Sequence, residues 1–235
     1  MKRFGKVLAW LFATLLVLII IAYNGFVRIR NNELPAGRSP TALKYQDRIQ
    51  RIFWDVEFGG ESMQIQPMPL WKWLWNFRET VHTQSFGSPS FKAASRAGKA
   101  MLFRNEYSKR HLEFQLDWLF ASIWISKNWT AQDVVNTILA ESYFGYEIHG
   151  LRQAAMAYFG VEPDDLTNEE MVFLSGVTRR PAYTNPWVKP DETKKMAGVL
   201  LSKVAKSGRF MVGTDPELCF KRLQTKPSRV QPLEN

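Results

Sequence analysis

The chain has 235 residues, of which 46% are apolar, 14% aromatic and 23% charged, a balance that excludes a disordered chain, a collagen and a long coiled coil. The formal charge is +9, yet five basic residues (Lys2, Arg3, Lys6, Arg28 and Arg30) fall in the first 30 positions, where there is no acid. The small surplus left over the remainder, without a zinc-finger or RNA-recognition signature, argues against a nucleic-acid partner, and the single cysteine, Cys219, excludes an internal disulfide framework.

In chain order, residues 7–23 form an apolar run behind Lys2, Arg3 and Lys6, suited to a helix crossing a bilayer core. Tyr23 and Asn24 place bulky groups where a signal-peptide cleavage site would need small ones, so the run reads as an uncleaved anchor. The basic flank favours a cytoplasmic N-terminus. In a bacterium this predicts a single-pass protein of the inner (cytoplasmic) membrane, with residues 31–235 in the periplasm or otherwise outside the cytoplasm. Residues 1–30 are then tail and anchor, and 31–47, with Pro35, Gly37 and Pro40, a linker.

Residues 68–77 carry Trp71, Trp73 and Trp75 beside Leu70, Leu74 and Phe77, too many large apolar groups for one helix face. They read as a segment lying in the bilayer surface, with an aromatic core helix as the alternative. Further on, Leu112, Leu116, Leu119, Phe120, Ile123 and Trp124 recur at three- and four-residue spacing and predict a helix of about 20 residues. Thr130-x-x-Asp133 and Thr167-x-x-Glu170 are capping-box patterns opening two more helices. Gly160, Gly176 and Gly208 follow apolar runs and are expected to end helices, and Asp215-Pro216 opens a short one in a C-terminal helix and tail over 211–235. With few alternating patterns, the fold class is all-α. His82, His111 and His149 lack metal-ligand spacing, and no Ser-x-x-Lys motif marks a transpeptidase.

The run from Tyr143-Phe-Gly145 through Gly150 to Ala157-Tyr-Phe-Gly160, then Leu166-Thr-x-x-Glu170 and Asn185-Pro186, resembles, without gaps, the last motif stretch of glycosyltransferase family 51, the peptidoglycan glycosyltransferases. That resemblance implies a lysozyme-like, two-lobed helical domain over residues 48–210, borne on the single N-terminal transmembrane helix as in the monofunctional members. The family joins lipid II units into glycan strands. In its chemistry a glutamate opening the motif Glu-Asp-x-x-Phe-x-x-His acts as base, while basic groups and a second glutamate stabilise the diphosphate leaving group.

Carried back along this chain, the motifs are thinned. The motif Arg-Lys-x-x-Glu is echoed by Lys109-Arg110-His111-Leu112-Glu113, with the basic pair exchanged. Gly87-Ser-Pro-Ser90-Phe is similar to the start of the second motif, but its Gln-Gln and Lys fall on Ala93, Ala94 and Ala97, with Arg96 and Lys99 nearby. The acid and amide of Ile-Leu-Glu-x-Tyr-Leu-Asn fall on Asn136 and Ala140. In the first motif Asp55 and Phe58 match, which puts Trp54 at the base position and Glu61 at that of the histidine. The family's spacing back from Glu113 points instead to Glu57. Asp55, Glu57 and Glu61 otherwise read as surface acids of a turn-rich segment that keeps only the motif's shape.

The resemblance therefore implies a membrane-anchored cell-envelope protein, non-catalytic or weakly active, that binds lipid II or a glycan strand or serves as a scaffold for other cell-wall synthesis proteins. The alternative is an active peptidoglycan glycosyltransferase, with Glu57 and Glu113 as its catalytic pair. Arg96, Lys99, Lys109 and Arg110 are the candidate substrate-binding residues. No metal ligand or resident cofactor is expected, a divalent cation such as Mg²⁺ or Mn²⁺ entering only with activity. Glycan cleavage, which needs two carboxylates astride a glycosidic bond, is a third reading.

Overall fold

A computed structural model of the chain describes residues 6, 10–20, 23, 39–59, 62–73, 75, 87–104, 111–181 and 183–225. Its helices are α1 (Asp47–Glu57), α2 (Pro89–Arg104), α3 (His111–Asn128), α4 (Ala131–Glu141), α5 (Leu151–Phe159), α6 (Asn168–Val177) and α7 (Pro190–Ser207), with 3₁₀ turns at Pro163–Asp165 and Pro216–Phe220. Among the described residues there is no strand, only an isolated antiparallel bridge between Tyr143 and His149. The all-α expectation holds.

Local chemistry explains most helix ends. Thr130 accepts from the Asp133 amide while Asp133 accepts from the Thr130 amide, and Thr167 and Glu170 do the same, so both predicted capping boxes form. Gly160 (φ 70°) and Gly208 (φ 67°) close α5 and α7 in the left-handed conformation. Asp215 accepts from the Glu217 amide to start the last 3₁₀ turn. Gly176 does not end a helix: it lies inside α6, whose C-cap is Thr178. A Cβ there would come within 2.4 Å of Leu200 and of Met196, so this glycine serves the close approach of α7.

The core is built around α1. Ile49, Ile52, Phe53 and Val56, at three- and four-residue spacing, are fully buried, and the helix packs against α4, α6 and α7. Helix α2 lies against α3 and α4. Between Pro40 and α1 the chain is pinned to α4, where Thr137 Oγ1 accepts from the Thr41 amide and Asn136 Oδ1 from the Tyr45 amide. The segment 211–225 is also docked: Arg222 pairs with Glu170, and the Gln224 amide donates to Tyr158 O.

The tryptophan segment divides. Trp73 is 6% exposed and lies against Phe91 and Trp118, with ring centroids 5.8 and 6.3 Å away, whereas Trp71 is 70% and Trp75 56% exposed. Trp73 thus follows the core alternative, while Trp71 and Trp75 stay outside the core. Of the predicted anchor, residues 10–20 are described, helical and apolar on an exposed surface, and the others except Tyr23 lie outside the described residues. Among the described residues no helix is long and apolar enough to cross a membrane.

Candidate functional site

The C-terminal end of α1 gathers the charged groups. A helix end leaves carbonyls without intrahelical donors and carries partial negative charge, and two cations from distant elements satisfy it here. Lys203 Nζ of α7 lies 3.4 Å from Asp55 O and 3.2 Å from Val56 O, and an Nη2 donor of Arg179, just past α6, also reaches Val56 O.

The two acids of this end are buried and paired. Glu57, its side chain 5% exposed, accepts from Arg179 Nε at 2.7 Å on Oε1 and from Arg96 Nη1 on Oε2. Arg96 is itself fixed by a 2.6 Å bond to Thr178 Oγ1 and by the Phe53 ring below its guanidinium. Asp55 accepts from Arg209 Nη1 at 2.5 Å and from Ser207 Oγ at 3.1 Å. The surface, turn-rich reading of Asp55 and Glu57 is corrected: both are helical, and their partners come from α2, α7 and the segments beyond α6 and α7.

Cations outnumber acids around Glu57. Burial pushes the Lys92 ammonium below its usual range, Lys203 and Arg179 push it further, and Glu57 opposes them. Lys203 is lowered in the same way, by burial and then Arg179, against Asp55 and Glu57. The result is a half-buried group of cations, with Glu57 between two of them and Asp55 paired to Arg209 beside it.

The other candidates disperse. Lys99 is exposed on α2; Lys109, Arg110, Glu61 and His82 lie outside the described residues, as does the Glu113 side chain, whose backbone is in α3. Ala93, Ala94 and Ala97, which stand where the family pattern has Gln, Gln and Lys, are fully buried. They belong to the packing face of α2, which comes so near α3 that a Cβ on Gly98 would sit 2.9 Å from Ser122 Oγ. Asn136, at the position of a motif acid, spends its carbonyl on the Tyr45 amide.

Trp54, at the base position of the first motif, is 2% exposed, and its Nε1–H has no acceptor among the described residues. A buried unpaired donor costs about 1–3 kcal/mol. A divalent cation does not fit this end of α1, because the carboxylates of Asp55 and Glu57 are already engaged by arginines.

Arg179, Lys203, Arg209 and Lys92 were not singled out in the sequence. Arg179 alone left a signal, as one of a basic pair immediately before the matched Pro181-x-Tyr-Thr-Asn-Pro stretch. The lysines and Arg209 sit in ordinary amphipathic or turn contexts with nothing local to distinguish them.

Comparison with known proteins bears on the same region. Residues 98–205 match the family model described as Transglycosylase. Penicillin-binding protein 1A of Escherichia coli (strain K12) is 30% identical over 100 residues, 43% of this chain and 12% of that protein. Penicillin-binding protein 1A/1B of Bacillus subtilis (strain 168) is 28% identical over 101 residues, 43% of this chain and 11% of that protein. Penicillin-binding protein 2D of the same organism is 23% identical over 130 residues, 54% and 19% of the two chains. The chain thus spans less than a fifth of the length of each of these relatives. The match begins in the middle of α2, at the glycine that seats α3, and ends in the last turn of α7, so it covers a little under half of the chain, takes in Arg179 and Lys203, and makes this part of the chain similar to the transglycosylase family.

Proposed function

We propose that this protein is a non-catalytic member of the family that holds lipid II or a glycan strand at the cell envelope, on a lysozyme-like scaffold anchored by residues 7–23. One observation carries the reading: both oxygens of Glu57 accept from arginines. A general base must offer a lone pair to the proton it removes and release that proton later. Here each oxygen of the carboxylate already accepts from a guanidinium, which engages it in structural ion pairs. The base position in the other register is Trp54, whose indole is a donor only.

The field around Glu57 supports retained binding. Lys92, Arg96, Arg179 and Lys203 lie around Glu57, with Asp55 the other carboxylate acting on Lys203, a surplus of cations that favours a diphosphate-bearing lipid over a neutral one. The exposed rings of Trp71 and Trp75 and the apolar residues 10–20 support a membrane location. A glycan-synthesis assembly is the partner such a binder would serve.

The test is polymerisation of lipid II by the purified full-length protein in detergent beside an active family member. The expected result is binding of lipid II without glycan product. Robust product that disappears in Glu57→Gln would establish Glu57 as a base and overturn the reading. A reporter enzyme active only outside the cytoplasm, fused after Asn235, is expected to be active; an inactive fusion would refute the topology.

A further inference from the structure

The outer face of α7 carries a groove of about 690 Å³, lined by Lys195, Gly198, Val199, Ser202, Lys206 and Pro216. At 3.6 residues per turn, Lys195, Val199, Ser202 and Lys206 fall within about 60° of one another around the helix. Thr193, Ala197, Leu200, Leu201 and Val204 fill its core side. The stripe is therefore the solvent face, with Val199 64% exposed and both lysines exposed. Pro216 comes from the last 3₁₀ turn, and a Cβ on Gly198 would sit 3.1 Å from its ring, so the glycine lets that turn close against α7.

Four lysines line the groove and, among the described residues, no acid does. Two of the four are engaged: Lys194 Nζ donates to Glu217 at 2.7 Å, and Lys203 Nζ is turned to the carbonyls that end α1. Lys203 is the one residue shared with the group around Glu57. Lys195 and Lys206 make no ion pair among the described residues, and Asp191 and Glu192 lie ahead of the groove in the first turn of α7. The groove thus sets an apolar middle, Val199 and Pro216, between two cations eleven residues apart, about 16.5 Å along the helix axis. An extended chain advances about 3.3 Å per residue, so about five residues of it cover that distance.

We infer that this groove docks an extended, acidic segment of a partner protein, its carboxylates about four or five residues apart on Lys195 and Lys206 and an apolar side chain between them over Val199 and Pro216. A lone anion would meet only one of the two cations and leave the apolar middle uncovered. A bilayer surface is the poorer occupant, because the two features that point to a membrane pack elsewhere. Tyr23 of the apolar run lies against Phe120 of α3, with ring centroids 6.1 Å apart, and Trp73 lies against Phe91 of α2 and Trp118 of α3. Helix α7 packs on α1, α6 and the last 3₁₀ turn instead. The inference goes beyond the proposed function and does not depend on it.

The experiment follows the fluorescence anisotropy of a labelled peptide, Gly-Glu-Glu-Leu-Val-Leu-Glu-Glu-Gly, titrated with the full-length protein in dodecyl maltoside at low ionic strength. A block peptide, Gly-Glu-Glu-Glu-Glu-Leu-Val-Leu-Gly, has the same composition and charge. The spaced peptide is expected to bind saturably and severalfold more tightly than the block peptide. Lys195→Glu/Lys206→Glu should weaken it about tenfold and Val199→Ser severalfold, whereas Lys44→Glu/Lys127→Glu, the same change of charge outside α7, should weaken it less than twofold. All these residues are exposed, so the circular dichroism should not change. Equal affinity for the two peptides, or equal losses in the two double variants, overturns the docking site. Displacement of the peptide by micelles carrying phosphatidylglycerol but not by those carrying phosphatidylcholine overturns it in favour of lipid headgroups. Self-association of the protein that Lys195→Glu/Lys206→Glu abolishes overturns it in favour of a second copy of this chain.

Discussion

Replacing Glu57 by glutamine separates a structural acid from a catalytic one. The substitution keeps the shape but removes the charge that two guanidiniums share, and it turns an N–H₂ group toward one of them. Removing one partner of a fully buried ion pair costs about 3–5 kcal/mol. Here the carboxylate is 5% exposed, but the Arg96 and Arg179 side chains are 25% and 43% exposed, so water can rehydrate them and the cost falls to about 2 kcal/mol. For a domain of this size that corresponds to a fall in Tm of about 4–8 °C. Thermal unfolding of wild type, Glu57→Gln and the double variant Glu57→Gln/Arg96→Met measures it, the double variant regaining part of the loss because one uncompensated cation is gone. An unchanged or higher Tm in Glu57→Gln would refute the argument that the acid is held for structure.

Three other outcomes are expected. Burial holds the Cys219 thiol protonated up to about 12, from an ordinary 9.0; the unfolded chain loses that proton first as pH rises, so the thiol's contribution is complete below pH 9 and about 1 kcal/mol of it is lost by pH 10. Comparing the pH dependence of unfolding with Cys219→Ser isolates this from Lys92 and Lys203, whose lowered values act in the opposite sense, and equal slopes for the two proteins would refute it. Trp73→Ala should destabilise the fold by about 3–5 kcal/mol, while Trp71→Ala/Trp75→Ala leaves Tm unchanged and weakens vesicle binding of the protein lacking residues 1–30; undiminished binding would exclude the exposed rings as a membrane contact. Gly150 has φ 80° and ψ 149°, with a Cβ position 2.8 Å from Ala140 O, so Gly150→Ala should cost at least roughly 1–3 kcal/mol from backbone strain, measured by denaturant unfolding, and a neutral result would show that the turn can relax.

What the sequence by itself determined is what depends on neighbours a few residues apart. The capping boxes at Thr130 and Thr167, the left-handed caps at Gly160 and Gly208 and the all-α class follow from hydrogen bonds spanning one helical turn, and those bonds form as read. Gly176 shows the limit of such reasoning, since the helix that needs its missing Cβ is met only after the chain has turned back. The site lies wholly beyond that limit. Glu57 meets Arg96 across 39 positions and Arg179 across 122, and Asp55 meets Arg209 across 154. No periodicity encodes such separations, because a carboxylate in the last turn of α1 has the same local sequence signature whether it faces water or two guanidiniums. Only the packing of α2, α6 and α7 around α1 decided that Glu57 is spent on arginines and that the Trp54 N–H is left without an acceptor among the described residues.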